Sequence, residues 1–186
     1  MCGIVGFVAK RPAYRHRLGE LVTPMLSCMG DRGPDSAGLA VFTETANQDR
    51  YQYSLFSVGK VDWDDLAGRF KEGHIDSIGH CATLFTSDIP EVVESEILTW
   101  PQRIDTFGYG IRMQVYKDTG HPKDLIKTYH LDQVTGSHCV GHTRMATESA
   151  VTPLHSHPFS AGEDFCLVHN GSISNPWQIR RRLSRY

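Results

Sequence analysis

The chain has 186 residues, enough for one domain with a sizeable core and crowded for two. Nineteen Lys and Arg against 21 Asp and Glu give a formal net charge of -2, which argues against a nucleic-acid partner, since such chains carry a basic excess to neutralise phosphates. Forty per cent apolar and 22% charged residues make a globular balance, and no apolar run approaches the ~20 residues that span a bilayer.

Residues 2–9 form a short apolar run, β-branched in part, and predict a buried strand. This run precedes Lys10 and Arg11, the reverse of a signal peptide, so a soluble cytoplasmic protein without a membrane partner is expected. Leu18, Leu21, Val22, Met25, Leu26 and Met29 recur at the helical period, with Pro24 inside the pattern predicting a kink or a late start. Gly30-Asp-Arg-Gly-Pro-Asp35 is dense in turn formers and feeds a strand over 37–42, with 51–58 as its expected hairpin partner.

Between residues 62 and 137 the pattern is weaker. A short helix over 63–70 and strands over 77–85 and 110–116 are expected there. Residues 136–144 read as a turn entering a strand, and 165–169 as a strand stopped by Asn170-Gly171. Asn175 reads as an N-cap with Pro176 at the first helical position, opening a helix that buries Ile179 and Leu183. The Arg180-Arg181-Arg182 run would be its solvated face or meet an acidic partner. Strands and helices alternate without a βαβ rhythm, which predicts α+β.

Five cysteines, Cys2, Cys28, Cys81, Cys139 and Cys166, are scattered without a C-x-x-C pair, so neither a disulfide framework nor a zinc ribbon is expected. His80-Cys81 and His138-Cys139 are adjacent pairs, which on a strand point to opposite faces and chelate poorly. His155 and His157 could share a face, but nothing else has zinc-ligand spacing, and no metal is expected.

Three features carry chemistry. Removal of Met1 would leave Cys2 as a terminal residue with nucleophile and base together, its α-amine having a reference pKa of about 7.7–8.0. A buried core cysteine at a strand start is the plain alternative. Arg144, in Gly141-His-Thr-Arg-Met-Ala-Thr147, leaves a strand beside two threonines, and its guanidinium fork suits a carboxylate as well as a surface ion pair. In His169-Asn-Gly171 a side-chain amide next to a glycine N–H offers two donors that can converge on one oxygen; a simple turn is the alternative.

Taken together and in order, Met1-Cys-Gly-Ile-Val-Gly6, Arg32-Gly-Pro-Asp-Ser-Ala-Gly38, Gly141-His-Thr-Arg-Met-Ala-Thr147, His157-Pro-Phe159 and His169-Asn-Gly171 resemble the class II glutamine amidotransferases, which are N-terminal nucleophile hydrolases. The block from Gly38 to Gly141 carries no motif of the family and is longer than its counterpart in the sugar-phosphate and purine-pathway members. With the wording Arg32-Gly-Pro-Asp-Ser36 and His155-Ser-His-Pro-Phe159, the chain most resembles the amidotransferase subunits of glutamate-synthase-like enzymes, including N-methylglutamate synthase.

The resemblance implies an α+β fold of four layers, αββα, with two stacked antiparallel sheets and Cys2 at a central strand end. It implies that Cys2 attacks the side-chain amide carbon of glutamine, with Asn170 and Gly171 holding the oxyanion. Arg144 would bind the substrate α-carboxylate, Thr147 would orient the substrate, and Arg32 would order the loop over the thiol. Ammonia would pass to synthase subunits in a hetero-oligomer. The chain would need no cofactor of its own, although the synthase can carry one.

Met145 stands where some relatives have Trp, and Glu148 where the amino-sugar branch has His. In the family, an acidic residue for the substrate α-amine lies beyond the Asn-Gly turn, and later strands complete the sheets. The expectation is therefore that residues 1–186 are a single amidotransferase domain lacking its C-terminal part, either the N-terminal part of a longer amidotransferase chain or completed by another polypeptide. Two other readings remain: a non-catalytic amidotransferase-like module that regulates or scaffolds a synthase, and a hydrolase of the same class acting on another amide.

Overall fold

The computed structural model describes residues 2–44, 50–146, 150–171 and 173–185. In chain order the elements are β1 (Gly3–Val8), α1 (Pro12–Arg15), α2 (Leu18–Cys28), β2 (Ser36–Phe42), β3 (Tyr51–Phe56), α3 (Trp63–Ala67), β4 (His74–Ile78) and β5 (Cys81–Thr86). They continue with α4 (Pro90–Thr99), β6 (Asp105–Gly110), β7 (Met113–Thr119), α5 (Pro122–Thr128), β8 (His138–Arg144), β9 (Phe159–Ser160), β10 (Cys166–Leu167) and α6 (Pro176–Leu183).

Two antiparallel sheets of four strands organise the chain, the first in the order β1-β8-β2-β7 and the second in the order β4-β5-β3-β6. The fold is α+β, as expected. Helix α2 buries Leu18, Val22 and Leu26 in one core with Val5, Leu39 and Val41 of the first sheet. Phe56, Cys81 and Phe107 of the second sheet join that same core, so the sheets are stacked. A second core joins Tyr53, Leu55, Ala82 and Leu84 to Leu66 of α3 and to Val93 and Ile97 of α4. The layers therefore run helix, sheet, sheet, helix.

Helix α2 runs through Pro24 from Leu18 to Cys28 instead of starting late, and Thr23 Oγ1 donates to the Gly19 carbonyl at 2.8 Å. The expected pairing of the strand at 51 with the one at 37–42 is wrong: β2 lies between β7 and β8, whereas β3 lies between β5 and β6 in the other sheet. The reason is that alternation predicts a strand but does not specify its partner. The single strand expected over 77–85 is instead the hairpin of β4 and β5, because Gly79, with φ 60°, allows a two-residue turn between Ile78 and Cys81. The strand expected over 110–116 is likewise the junction of β6 and β7. Its turn is pinned by Asp164, whose carboxylate accepts from the N–H groups of Ile111 (3.1 Å), Arg112 (2.8 Å) and Met113 (2.8 Å).

Only Cys166–Leu167 of the strand expected over 165–169 forms a ladder, paired with β9. Helix α6 starts as expected, with the Asn175 side chain accepting from the Gln178 N–H at 3.3 Å. Its apolar face is not buried, however: Ile179 is 42% and Leu183 66% exposed, with no described element packed over them.

Candidate functional site

The site forms where the first sheet meets the loop after α2. Strand β8 lies in the middle of the sheet, paired with β1 from Gly3↔Thr143 to Val8↔His138 and with β2 from Ser36↔Arg144 to Phe42↔His138. Continuing the β1 register by one residue puts Cys2 across from Arg144, and directly opposed residues share a face.

Three contacts lock this end of the sheet. Thr143 Oγ1 donates to the Met29 carbonyl at 2.9 Å, which ties β8 to the short 3-10 turn after α2. The Asp35 N–H donates to the Arg144 carbonyl at 3.1 Å, and Asp35 Oδ2 accepts from the Ala146 N–H at 2.7 Å. Gly33 allows the approach, because a Cβ there would lie 2.6 Å from the Thr143 carbonyl carbon and 2.7 Å from the Arg144 nitrogen.

Cys2 is half-buried, and its Sγ lies 3.9 Å from the Met145 carbonyl. Asn170 reaches it from the far end of the chain, Nδ2 donating to the Cys2 carbonyl at 2.9 Å. Gly171 follows immediately, and a Cβ there would meet the His169 ring at 3.2 Å. Arg144 is buried, at 8% exposure, and its Nη1 donates to the Ala150 carbonyl at 3.1 Å. Of the residues singled out from sequence, the fold thus gathers Cys2, Asn170, Gly171 and Arg144. Arg32 stands on the 3-10 turn, exposed, its side chain making no hydrogen bond or ion pair to a described residue. Thr147 lies outside the described residues, as does Glu148.

Behind this end, the row Ile4, His142, Gly38 and Lys117 crosses all four strands of the first sheet. His142 is 1% exposed, and neither of its ring nitrogens has a hydrogen-bond partner among the described residues. Its ring lies 4.6 Å from that of His157, whose Nδ1 is also unpartnered. Burial pushes both imidazoles down to about 4; the Arg144 guanidinium adds to this at both rings, while the His169 backbone works the other way at His142. Both rings are therefore neutral at pH 7. Lys117 is 2% exposed, and burial pushes its ammonium down to about 8.

Sequence reasoning gave no role to Asp35, His142, His157 or Lys117. Asp35, His142 and His157 were inside quoted motifs. The available signal for Lys117 was its place in the alternation of Met113, Val115 and Lys117, where a charge falls on the inward face. Among the described residues there is no group of three His, Cys, Asp or Glu side chains arranged for a metal, and no helix is long and apolar enough to cross a membrane.

Two stacked antiparallel sheets between helical layers, with a near-terminal cysteine at a strand end, define the fold of the N-terminal nucleophile hydrolases. Two relatives carry glutamine amidotransferase in their names, and a third is a glutamine-dependent aminotransferase. The chain is 39% identical over 191 residues to the glutamine amidotransferase-like protein GlxB of Rhizobium meliloti, covering all of this chain and 63% of that protein. It is 30% identical over 207 residues to a putative glutamine amidotransferase of Methanothermobacter thermautotrophicus, covering all of this chain and 66% of the relative. It is 26% identical over 183 residues to a glutamine–fructose-6-phosphate aminotransferase of Pseudomonas putida, covering 98% of this chain and 18% of that protein. No family model matches. These relatives support a class II glutamine amidotransferase. The chain spans a little under two thirds of the length of the first two relatives.

Proposed function

We propose that the chain is a glutaminase that hydrolyses glutamine to glutamate and supplies ammonia, in the cytoplasm, to synthase subunits of the glutamate-synthase-like or N-methylglutamate-synthase-like kind. The observation that carries the reading is the Asn170 amide held against Cys2, with Arg144 across the ladder from it. The description shared by the relatives supports glutamine as substrate.

Removal of Met1 gives Cys2 a free α-amine, and a reference pKa of about 7.7–8.0 leaves part of it neutral near pH 7.5 to take the thiol proton, directly or through water. The sulfur then attacks the side-chain amide carbon, and the carbonyl oxygen becomes an oxyanion. An Asn amide has two N–H groups; one of Asn170's rests on the Cys2 carbonyl, leaving the second to join the Gly171 N–H on that oxyanion. Collapse expels ammonia, which takes its proton from the α-ammonium, and leaves a glutamyl thioester. Water attacks the thioester with the amine again as base, and glutamate leaves. Arg144 grips the α-carboxylate with its fork, Thr147 orients the substrate, and Arg32 orders the loop over the thiol. No cofactor is required for these steps.

The test is release of glutamate and ammonia from glutamine, read beside the intact mass of the protein's N-terminus. Protein that starts at Cys2 should be active, whereas protein that keeps Met1 or carries an N-terminal tag should be inactive while melting at the same temperature. Full activity with Met1 retained would overturn the mechanism. No activity in Cys2-starting protein, with and without co-purifying subunits, would favour the non-catalytic module.

A further inference from the structure

The ammonium of Lys117 is buried between the sheets without an anionic partner. Among the described residues its Nζ makes no hydrogen bond or ion pair, and it rests over the ring centroids of Phe107 at 4.3 Å and Phe159 at 5.3 Å. Aromatic faces attract a cation but do not replace the hydration a buried charge loses. The groups that bear on it are otherwise committed or neutral. Asp105 holds Arg103 at 3.0 Å, Asp118 on the opposite face of β7 accepts from the Tyr129 hydroxyl at 2.6 Å, and the Cys81 thiol is pushed up to about 11 by burial. His157 is neutral at pH 7.

Lys117 opens onto a cavity of about 420 Å³ between the second sheet and the β9 segment, within the size range of small-molecule sites. Phe107, Tyr109, Phe159 and Leu154 give it apolar walls, and Ser160 adds a hydroxyl. Glu94 stands on its rim, exposed. One cation and apolar walls fit a single carboxylate on an apolar body; a phosphate would call for more donors than the cavity offers. We propose that this cavity is a binding site for a small organic acid, whose carboxylate pairs with Lys117 and whose body packs against Phe107 and Phe159. The site is separate from the thiol, and its assignment does not depend on the chain being a glutaminase.

Benzoate is a suitable probe, with the 186-residue protein at pH 7 in a calorimeter. One equivalent should bind, inorganic phosphate should not compete, and alkylating Cys2 should leave the affinity unchanged. Lys117→Met should weaken binding at least tenfold, and Lys117→Arg should retain it within a few fold. In the unmodified protein the affinity should also fall by about tenfold per pH unit above pH 8 as the ammonium loses its proton, a readout that needs no folded variant. Crystals soaked in 4-bromobenzoate should show the bromine between Phe107 and Phe159. No benzoate binding, equal binding by Lys117→Met, loss of binding on alkylation of Cys2, or bromine found only elsewhere would overturn the assignment.

Discussion

The two sheets differ in how far their buried polar groups are satisfied, although Thr143 and Arg144 of the first sheet both find carbonyl partners. In the second sheet and its flanks such groups find partners: Ser54 Oγ accepts from the Val115 N–H at 2.8 Å, Ser57 Oγ donates to the Arg103 carbonyl at 2.8 Å, and Thr86 Oγ1 donates to the Lys71 carbonyl at 2.9 Å. The indole N–H of Trp100, at the end of α4, is the exception there. In the first sheet, both nitrogens of His142 and Nδ1 of the adjoining His157 are left without partners among the described residues, and Lys117 rests on aromatic rings. Buried polar groups are ordinarily satisfied, so the exceptions mark where the fold gives up stability. Those at His142 and His157 lie beside the strand end that carries Arg144. On the proposed reading, the second sheet serves as support and the first holds the chemistry.

The strongest way to break this contrast is at the cysteines. Cys2→Ala should remove glutamine hydrolysis by about 10⁴-fold or more, on the scale set by deleting a covalent nucleophile, without changing the melting temperature. Cys81→Ala in the second sheet should instead cost stability and leave kcat/KM of the folded protein near normal. If Cys81→Ala proved the more damaging to turnover, the division of labour would be wrong.

Asn170→Ala should lower kcat by about 10²–10³ with little change in KM, since its donor acts on charge that develops only in the transition state. Arg144→Lys keeps the charge and loses the fork, so its effect should fall mainly on KM for glutamine. Steady-state kinetics of the pair that gave the reverse pattern would mean that the two roles are exchanged.

Truncation of fully buried Leu84 to Ala should cost about 2–5 kcal/mol, read as a melting temperature lower by about 2–4 °C per kcal/mol, with the kinetic constants of the folded fraction retained. Gly33→Ala should cost about 1–3 kcal/mol, because its Cβ collides with the backbone at Thr143 and Arg144. Here kcat/KM should fall as well, since the displaced loop is the one that Asp35 fastens to the end of β8. Equal kinetic effects of the two substitutions would erase the contrast between the sheets.

A pH slope sharpens the comparison further. His142 and His157 titrate near 4 when folded against an ordinary 6.5, so the unfolded chain binds more protons between those values. Stability from their neutral forms is therefore whole above about pH 6.5 and is lost as pH falls toward 4. Urea midpoints across that window should decline, and His142→Gln should flatten the decline. An unchanged slope in that variant would show that the imidazoles are not the groups responsible.

Sequence alone determined what is written in neighbouring residues. The strand after Cys2, the period of α2, the Asn175 cap and the α+β class all follow from patterns that repeat within a few positions, where backbone geometry and side-chain burial act together. The order of the short motifs was legible for the same reason, and it led to the family.

Only the tertiary structure decided which strands are neighbours. An alternating strand offers the same hydrogen-bonding edge to any partner, and packing makes the choice, which is why β3 left the expected hairpin for the other sheet. The meeting of Asn170 with Cys2, 168 positions apart, follows from that choice. So does the task of Asp35, whose role depends on the backbone of β8 and not on its own surroundings in sequence. Lys117 is the clearest case. Its position in the alternation marks it as inward-facing, but a lysine can carry its charge to water from many such positions, and only the stacking of the second sheet closes that path.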